Sequence, residues 1–362
     1  MAKTFSELLE SQGSGTLNNR RLKAVKEATA FFHHNLDGSN RGRARLEEAF
    51  TTDDFPQLVA AGFEVQTRAA FREVPDETSL FAAQVGVPDT RRRQLRDFFG
   101  ETYFEDVNEG EEYKSDNPFK LMDIWHGTEK TGRNYALTME RILEGDFHSL
   151  ANFPALLGRG AANTRNRKAY QVFLNEDGDF KEEAFSLVDD DGLGFETLKE
   201  ASEYVSKQKN SFSKSPVDVS SKVLVVPPAL GEKARALVAA QGVRETTVTD
   251  GTRREIQTSN PLGGIQIQES LEFGRLTDSD SAWMLLPGRS TMNPAVIHSY
   301  LEGYRDVDIR VKRDQGQRVG GGDVGYQEGS FDDDTIWYRG RYFVGMDLAF
   351  KDASYASNGT SE

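Results

Sequence analysis

The stretch Val223-Leu-Val-Val-Pro-Pro-Ala-Leu230, followed by Gly-Glu-Lys-Ala-Arg-Ala-Leu237, decides the fold at the centre of this chain. The apolar run predicts a buried β-strand, and the prolines end it because proline cannot donate a hydrogen bond to a sheet. Both prolines suit the first turn of a helix, and Leu230, Ala234, Leu237 and Val238 follow at helical spacing. We therefore predict a strand that leads directly into an amphipathic helix. The junction contains no nucleophile, no cluster of metal ligands and no phosphate-binding loop.

The composition of the 362 residues excludes several classes of protein. There is no cysteine, which excludes disulfides and thiolate zinc sites. The formal net charge of −14 disfavours a dedicated nucleic-acid binder, because an acidic chain repels phosphate. No apolar run reaches the ~20 residues of a membrane span, and the first residues lack the apolar core of a signal peptide. We expect a soluble protein that is made in a cytoplasm, has no membrane contact and needs no cofactor.

The remaining pattern predicts an α+β protein with long strands in its last quarter. The acidic, turn-rich segment Phe104–Lys114 and the β-prone segment Lys120–Trp125 predict a long hairpin with a charged tip. Helical segments are predicted over residues 139–174, with a break at Gly145-Asp146 and a restart at Asn152 and Pro154. A second helix is predicted over residues 195–208, where Leu198, Ala201 and Val205 lie in phase on one side. Alternating apolar residues predict half-buried strands at Ile265–Phe273, Val307–Val311 and Val344–Phe350, and small polar residues from Ala353 predict a loose tail.

Several motifs that carry chemistry in other proteins lack the context which that chemistry needs. Gly320–Gly325 satisfies G-x-G-x-x-G, but no helix is predicted after it, so it indicates a flexible loop. The acidic clusters Asn175–Asp179 and Asp189–Gly192 fail the spacing of an EF-hand and indicate solvated turns. None of the five histidines has a histidine partner four residues away, and no serine lies in G-x-S-x-G. These patterns predict no catalytic, cofactor or metal site.

One helix carries a concentration of positive charge. Arg159, Arg165, Arg167 and Lys168 predict a basic side on the helix that includes residues 152–174. Such a side neutralises phosphate in some proteins and is a solvated helix face in others, and the sequence leaves both interpretations open.

The order of these segments resembles that of the major capsid proteins of tailed bacteriophages with the Hong Kong 97-type fold, in the branch that includes the Mu-like head subunit. The similarity runs from about Thr51 to Phe350. The hairpin around Phe104–Lys114 looks like the family's E-loop, Tyr135–Pro154 looks like the entry into its spine helix, and Val223–Leu237 is similar to its strand–Pro-Pro–helix element.

The resemblance implies an α+β, Hong Kong 97-like division of the chain. Its parts are an N-terminal helical extension 1–50, an N-arm 51–95, an E-loop hairpin 96–138, a P-domain with the spine helix 139–180, an A-domain 181–290, closing strands 291–350 and a flexible tail 351–362. The extension has no clear counterpart in the family's core fold.

The resemblance also implies a structural, non-enzymatic function. Copies would self-assemble as hexamers and pentamers, in the host cytoplasm, into the icosahedral virion shell around phage double-stranded DNA. Scaffolding, portal and decoration proteins, and non-specific DNA on the inner face, are the implied partners. The alternatives are an encapsulin-like compartment shell, which shares the fold, and a ligand-binding or enzymatic α+β protein with a pocket.

Two groups of residues are the expected sites of this function. The tip residues Glu109, Gly110, Glu111, Glu112 and Lys114 are expected to contact an adjacent subunit, where acidic groups need basic partners. Candidate partners are Arg91–Arg93 and the basic helix side, whose Arg159, Arg165, Arg167 and Lys168 are alternatively expected to meet packaged DNA.

Overall fold

The computed structural model describes residues 66–98, 106–112, 119–138, 147–211, 216–217, 220–240, 242–249, 252–312, 319 and 330–361. Helices and strands are mixed along these residues, which confirms the α+β class. The predicted extension 1–50, the first part of the predicted N-arm (51–65), the predicted helical residues 139–146 with their break at Gly145-Asp146, and the loop Gly320–Gly325 lie outside the described residues. Of the helices within them, none is long and apolar enough to cross a membrane.

The bounds of the elements are as follows. The helices are α1 (residues 66–73), α2 (Phe147–Gln171), α3 (Phe195–Ser206), α4 (Pro228–Ala239) and α5 (Leu271–Thr277). The strands are β1 (Ala82–Val87), β2 (Arg93–Phe98), β3 (Phe119–His126), β4 (Glu129–Thr138), β5 (Leu187–Asp191), β6 (Lys222–Val226), β7 (Gly242–Thr249), β8 (Thr252–Ser259), β9 (Gln266–Glu269), β10 (Trp283–Pro287), β11 (Val296–Leu301), β12 (Asp308–Val311), β13 (Thr335–Leu348) and β14 (Tyr355–Ser361).

The chain divides into two compact units. Unit 1 comprises the described parts of Met1–Pro75, Lys130–Thr164 and Gly303–Phe343. Unit 2 comprises Asp76–Glu129, Arg165–Glu302 and Val344–Glu362, again where described.

The strand that the proline junction predicts is an interior strand of the five-stranded sheet of unit 2. In the sheet order β5-β14-β10-β6-β9, strand β6 pairs antiparallel with β10 and parallel with β9. Residues 223–226 are fully buried, Pro227 occupies the N-cap position and Pro228 begins α4, which confirms the prediction of a strand leading into a helix. Leu198, Ala201 and Val205 of α3 and Ala234 of α4 bury their side chains in the core beside this sheet, as their spacing predicts.

The predicted loose tail is wrong. Strand β14 lies inside the same sheet, antiparallel to β10 and parallel to β5, and residues 353–357 are buried. The ring centroids of Tyr355 and Trp283 are 5.3 Å apart. Small residues such as Ala353 and Ser354 fit a closely packed interior, and local hydrophobicity alone does not distinguish that role from a loose end.

The predicted restart of a helix at Asn152 is also wrong. Helix α2 begins at Phe147 and continues through Pro154, although a proline inside a helix removes one hydrogen bond. Its carbonyl joins α2 to α1, since the Thr67 hydroxyl donates a hydrogen bond to the Pro154 carbonyl at 3.0 Å. The two helices approach most closely at Gly158, where an added Cβ would overlap the Thr67 carbonyl oxygen.

The predicted strand Ile265–Phe273 is too long. Strand β9 ends at Glu269, and Ser270 caps α5 by accepting a hydrogen bond from the Phe273 amide at 3.1 Å. The apolar residues at 271 and 273 therefore belong to a helix, because a serine N-cap begins one there.

Strand β13 is fourteen residues long, so it begins nine residues before the predicted strand Val344–Phe350. In unit 1 its first part pairs antiparallel with β12 and also pairs with β4, and Leu157 of α2 packs against Gly340. In unit 2 its last part pairs antiparallel with β11, which pairs in parallel with β1.

Candidate functional site

An acidic loop lies between β2 and β3. The two strands pair antiparallel from Arg93 opposite His126 to Phe98 opposite Phe119. Between them residues 106–112 are described, and all seven are exposed. This loop carries four carboxylates, Asp106, Glu109, Glu111 and Glu112, and no basic residue. The predicted tip residue Lys114 lies outside the described residues.

The tip of the loop is a hydrogen-bonded turn. Gly110 has a φ of 87°, a left-handed conformation that glycine adopts without strain. The Glu111 amide donates to the Asn108 carbonyl at 3.0 Å, and the Glu111 carboxylate accepts from the Asn108 side-chain amide at 3.1 Å. Glu109 and Glu112 make no hydrogen bond or ion pair with any described residue. These two carboxylates are therefore available to a partner.

Asp347 ties the base of this hairpin to β13. Its carboxylate accepts hydrogen bonds from the Arg92 guanidinium at 2.5 Å and from the Gly127 amide at 3.1 Å. Burial raises the pKa of Asp347, against the opposing effects of the Gly127 amide and the Arg92 charge. His126, beside Gly127, is buried next to the Ser299 hydroxyl at 3.1 Å, and burial lowers its pKa.

Backbone packing at the same place is close. A Cβ added to Gly345 would overlap the carbonyl oxygen of Gly127, so only glycine fits at position 345. The base of the hairpin is therefore fixed by two hydrogen bonds and a direct backbone contact.

Two of the predicted arginine partners of the acidic loop are already engaged. Arg92 binds Asp347, and Arg93 forms an ion pair with Asp89 at 2.9 Å. The Arg93 pair is exposed and contributes little stability, so it competes only weakly with another carboxylate. Arg91 is exposed and stays a candidate partner.

The predicted basic side of α2 does not exist as one face. An α-helix turns about 100° per residue, so positions 159, 165, 167 and 168 point in four different directions. Three of the four cations have carboxylate partners, which are Glu73 with Arg159 at 3.0 Å, Asp76 with Arg165 at 3.3 Å, and Glu129 with Lys168 at 2.6 Å.

The burial of Arg165 excludes it from a contact with DNA. Its side chain is only 7% exposed and is paired with Asp76, so the role of Arg165 is structural and its guanidinium is not accessible to phosphate. Lys168 lowers the pKa of Glu129 through a hydrogen bond and its charge. Arg167 is exposed and remains open to solvent.

The motifs set aside in the sequence have ordinary structural roles. Asn175–Asp179 forms a turn, with Gly178 at a φ of 94°. His298 is buried beside the Thr78 hydroxyl at 3.5 Å. No group of three or more metal-ligating side chains converges within the described part of the chain.

Sequence reasoning missed one charged surface. Strands β12 and β13 bring Arg310 and Arg339 opposite each other, and Arg341 follows on the same face. The signal was present as the alternation Trp337, Arg339, Arg341, but the partner strand is needed to see the cluster.

The family model for phage capsid proteins matches residues 123–356. Among solved structures, the capsid of Cyanophage P-SCSP1u is 12% identical, with a TM-score of 0.47, and the match covers 76% of this chain and 86% of that chain. The head of Helicobacter pylori bacteriophage KHP40 is 12% identical, with a TM-score of 0.46 and coverages of 76% and 88%. A chain from Gordonia phage Cozz is 15% identical, with a TM-score of 0.44 and coverages of 78% and 85%. No curated protein sequence matches the chain significantly. Because the family model spans more than half of its residues, this chain belongs to the phage capsid protein family.

Proposed function

We propose that this chain is the major capsid protein of a tailed phage with a Hong Kong 97-type fold. Its copies close, as hexamers and pentamers, into the icosahedral virion shell around double-stranded DNA, and they assemble in the host cytoplasm. The family match over residues 123–356 carries the proposal, since it extends from β3 to β14. Placement in the Mu-like branch stays a prediction.

This function requires contact surfaces instead of an active site. The loop 106–112 supports such a role, because it exposes four carboxylates and none of its seven residues is basic. In the proposed shell the loop acts as the E-loop tip and binds cations of an adjacent subunit. Each such contact is modest, and closure of the shell makes the sum strong.

The fixed hairpin base supports the same role. Asp347, Arg92 and Gly127 hold the first residues of the hairpin against β13. A segment that is ordered before binding loses less conformational entropy when it binds, so the contact is stronger without a larger contact area.

Packaged DNA is a further proposed partner, but its contact does not run through a basic α2 face. Arg159 and Arg167 are the exposed residues of that set, but Arg159 is paired with Glu73, so we propose Arg167 as a non-specific phosphate contact. Scaffolding, portal and decoration proteins are proposed as additional partners in assembly.

The first test is negative-stain electron microscopy of the purified protein together with its sedimentation profile. Closed shells or hexamer-sized rings are expected. A protein that stays monomeric, even when it is co-expressed with the other head proteins of its phage, would contradict the proposal.

A triple substitution tests whether the acidic loop is an assembly contact. Changing Glu109, Glu111 and Glu112 to Gln removes three charges from exposed positions and keeps the side-chain size. Shell yield is expected to fall while the subunit stays folded. Replacing Glu176, Glu182 and Glu183 with Gln is the matched control, because these carboxylates are equally exposed and lie elsewhere. Equal yields from both variants would remove the loop from the assembly contact.

A further inference from the structure

The ladder between β12 and β13 in unit 1 places like charges opposite each other. Its register pairs Arg310 with Arg339 and Asp308 with Arg341. Directly opposite residues of an antiparallel pair lie on the same face with Cβ atoms about 4.5–5.5 Å apart, and like charges there destabilise the sheet. Both Arg310 and Arg339 are exposed. An anionic partner would remove this cost.

Carboxylates of the same ladder neutralise only part of this charge. Asp308 accepts hydrogen bonds from Arg310 at 3.0 Å and from Arg341 at 2.5 Å. Arg341 also lies over the rings of Tyr304 and Phe343, 5.4 and 5.2 Å from their centroids. The side chain of Arg339 makes no hydrogen bond or ion pair with any described residue. The paired residues Arg310, Arg339, Arg341 and Asp308 leave two positive charges, and the exposed Lys312 adds a third at the end of the ladder.

An acidic turn with an exposed aromatic ring begins the same strand. Phe331 is 76% exposed, and residues 332–334 are three consecutive exposed aspartates. The turn is held internally: the Ser330 amide donates to the Thr335 carbonyl at 2.7 Å, and the Asp334 amide donates to the Ser330 carbonyl at 3.0 Å. The Asp333 carboxylate accepts from the Thr335 hydroxyl at 2.5 Å. The turn therefore presents Phe331 and Asp332 in a fixed position.

The acidic turn and the arginine pair lie along one strip. The hydrogen bond from Thr335 lowers the pKa of Asp333, and Trp337 and the Lys312 charge add to this effect, so the turn lies near both residues. Trp337 and Arg339 are two residues apart on a strand, so they share a face. Arg339 lies five positions after Asp334, which corresponds to about 17 Å along a strand.

We infer that this strip, residues 308–312 and 331–341, is a self-complementary contact between two copies of the chain. When a second copy approaches about a two-fold axis, its acidic turn meets the arginine pair of the first copy. The same interaction then occurs twice, as in any isologous contact. Phe331 supplies an aromatic anchor, and an arginine over an aromatic ring gains a cation–π interaction.

The charge pattern favours a second copy over nucleic acid. A phosphate backbone that runs along this strip would contact the three aspartates as well as the arginines, and the aspartates would repel it. A short acidic turn of the same chain meets no such repulsion. The inference rests on the proposed function only because shell assembly supplies the second copy.

The absence of cysteine from the sequence makes disulfide trapping a clean test. The double variant Asp332→Cys, Arg339→Cys is expected to give disulfide-linked dimers under mild oxidation, in assembled shells or in concentrated soluble protein. The two disulfides of an isologous pair close on each other, so dimers and not a ladder of multimers are expected. The control is Glu203→Cys, Arg339→Cys, which pairs the same arginine position with an exposed residue of α3.

A charge exchange tests the same contact without oxidation. Arg339→Asp alone and Asp332→Arg alone are each expected to weaken self-association at least tenfold. The double variant exchanges the two charges and is expected to return to within about threefold of the parent protein, because a two-fold contact brings the exchanged residues together.

The outcomes separate this inference from the proposed function. Shells that form normally, with no more cross-linking than the Glu203 control, would overturn the strip as a contact and leave the capsid function standing. A ladder of multimers would overturn the two-fold arrangement. Loss of DNA from intact shells of Arg339→Asp, with unchanged self-association, would assign the strip to nucleic acid instead. Cross-linked dimers without shells would support the strip and count against the proposed function.

Discussion

Helix α2 offers a matched pair of substitutions, Gly158→Ala and Gly160→Ala. Both glycines lie inside the same helix, so each substitution gains about 1 kcal/mol of helix propensity. A Cβ at Gly160 meets no atom within 4 Å. A Cβ at Gly158 would overlap the Thr67 carbonyl oxygen and lie 2.9 Å from both the Ala70 Cβ and the Phe71 amide nitrogen.

The two variants should therefore change stability in opposite directions. Gly160→Ala is expected to raise the free energy of unfolding by about 0.5–1 kcal/mol. At Gly158 the obstacle is backbone, so α1 must move away. Overpacking of this kind costs about 3 kcal/mol at the upper end of its range, and the bond from Thr67 to Pro154 adds about 1 kcal/mol if it is lost. After the gain in propensity, Gly158→Ala is expected to lose about 2–3 kcal/mol.

Urea unfolding of dissociated subunits, followed by circular dichroism, measures the difference between the variants. Amide hydrogen exchange over residues 66–73 locates it, since α1 should lose protection in Gly158→Ala and keep it in Gly160→Ala. Equal stability of the two variants, with unchanged protection of α1, would refute the close packing of α1 against α2.

Three further predictions follow from burial and charge. Arg165→Met is expected to lower the unfolding free energy by about 1–3 kcal/mol, because it leaves the half-buried carboxylate of Asp76 without its ion-pair partner. Arg167→Met, measured in the same urea titration, should change the unfolding free energy by less than about 0.5 kcal/mol. Burial raises the pKa of Asp347 above 3.8, so folding favours the neutral carboxyl group. The folded protein therefore loses stability as the pH rises from 3.8 through the folded-state pKa of Asp347. Asp347→Asn should thus be more stable than the parent at pH 7, and the gap should close toward pH 4; a gap that widens in acid would contradict this. Truncation that removes Tyr355–Ser361 is expected to abolish soluble, folded protein, whereas a loose tail would be dispensable, and removal of Glu362 alone is the control.

The sequence determined those elements whose signal is local. Two adjacent prolines after four apolar residues permit only a strand that ends and a helix that begins, and the structure has β6 and α4 at those residues. The spacing of Leu198, Ala201 and Val205 identified the buried side of α3 for the same reason. The order of such segments was also sufficient to indicate a phage capsid protein, which the family match confirms.

Only the tertiary structure decided which weakly hydrophobic residues are buried and which charged residues pair with one another. Except for Tyr355, residues 353–357 are alanine or serine, but all five are buried because β14 inserts between β5 and β10. The four cations of α2 looked like one basic side, but helical rotation separates them, and carboxylates distant in sequence neutralise Arg159, Arg165 and Lys168. The strip that joins Arg310 to Arg339 depends on the register of two strands, which a single sequence does not contain. The sequence therefore determines the sign of each charge, whereas the partner of each charge depends on the chain segments that folding brings beside it.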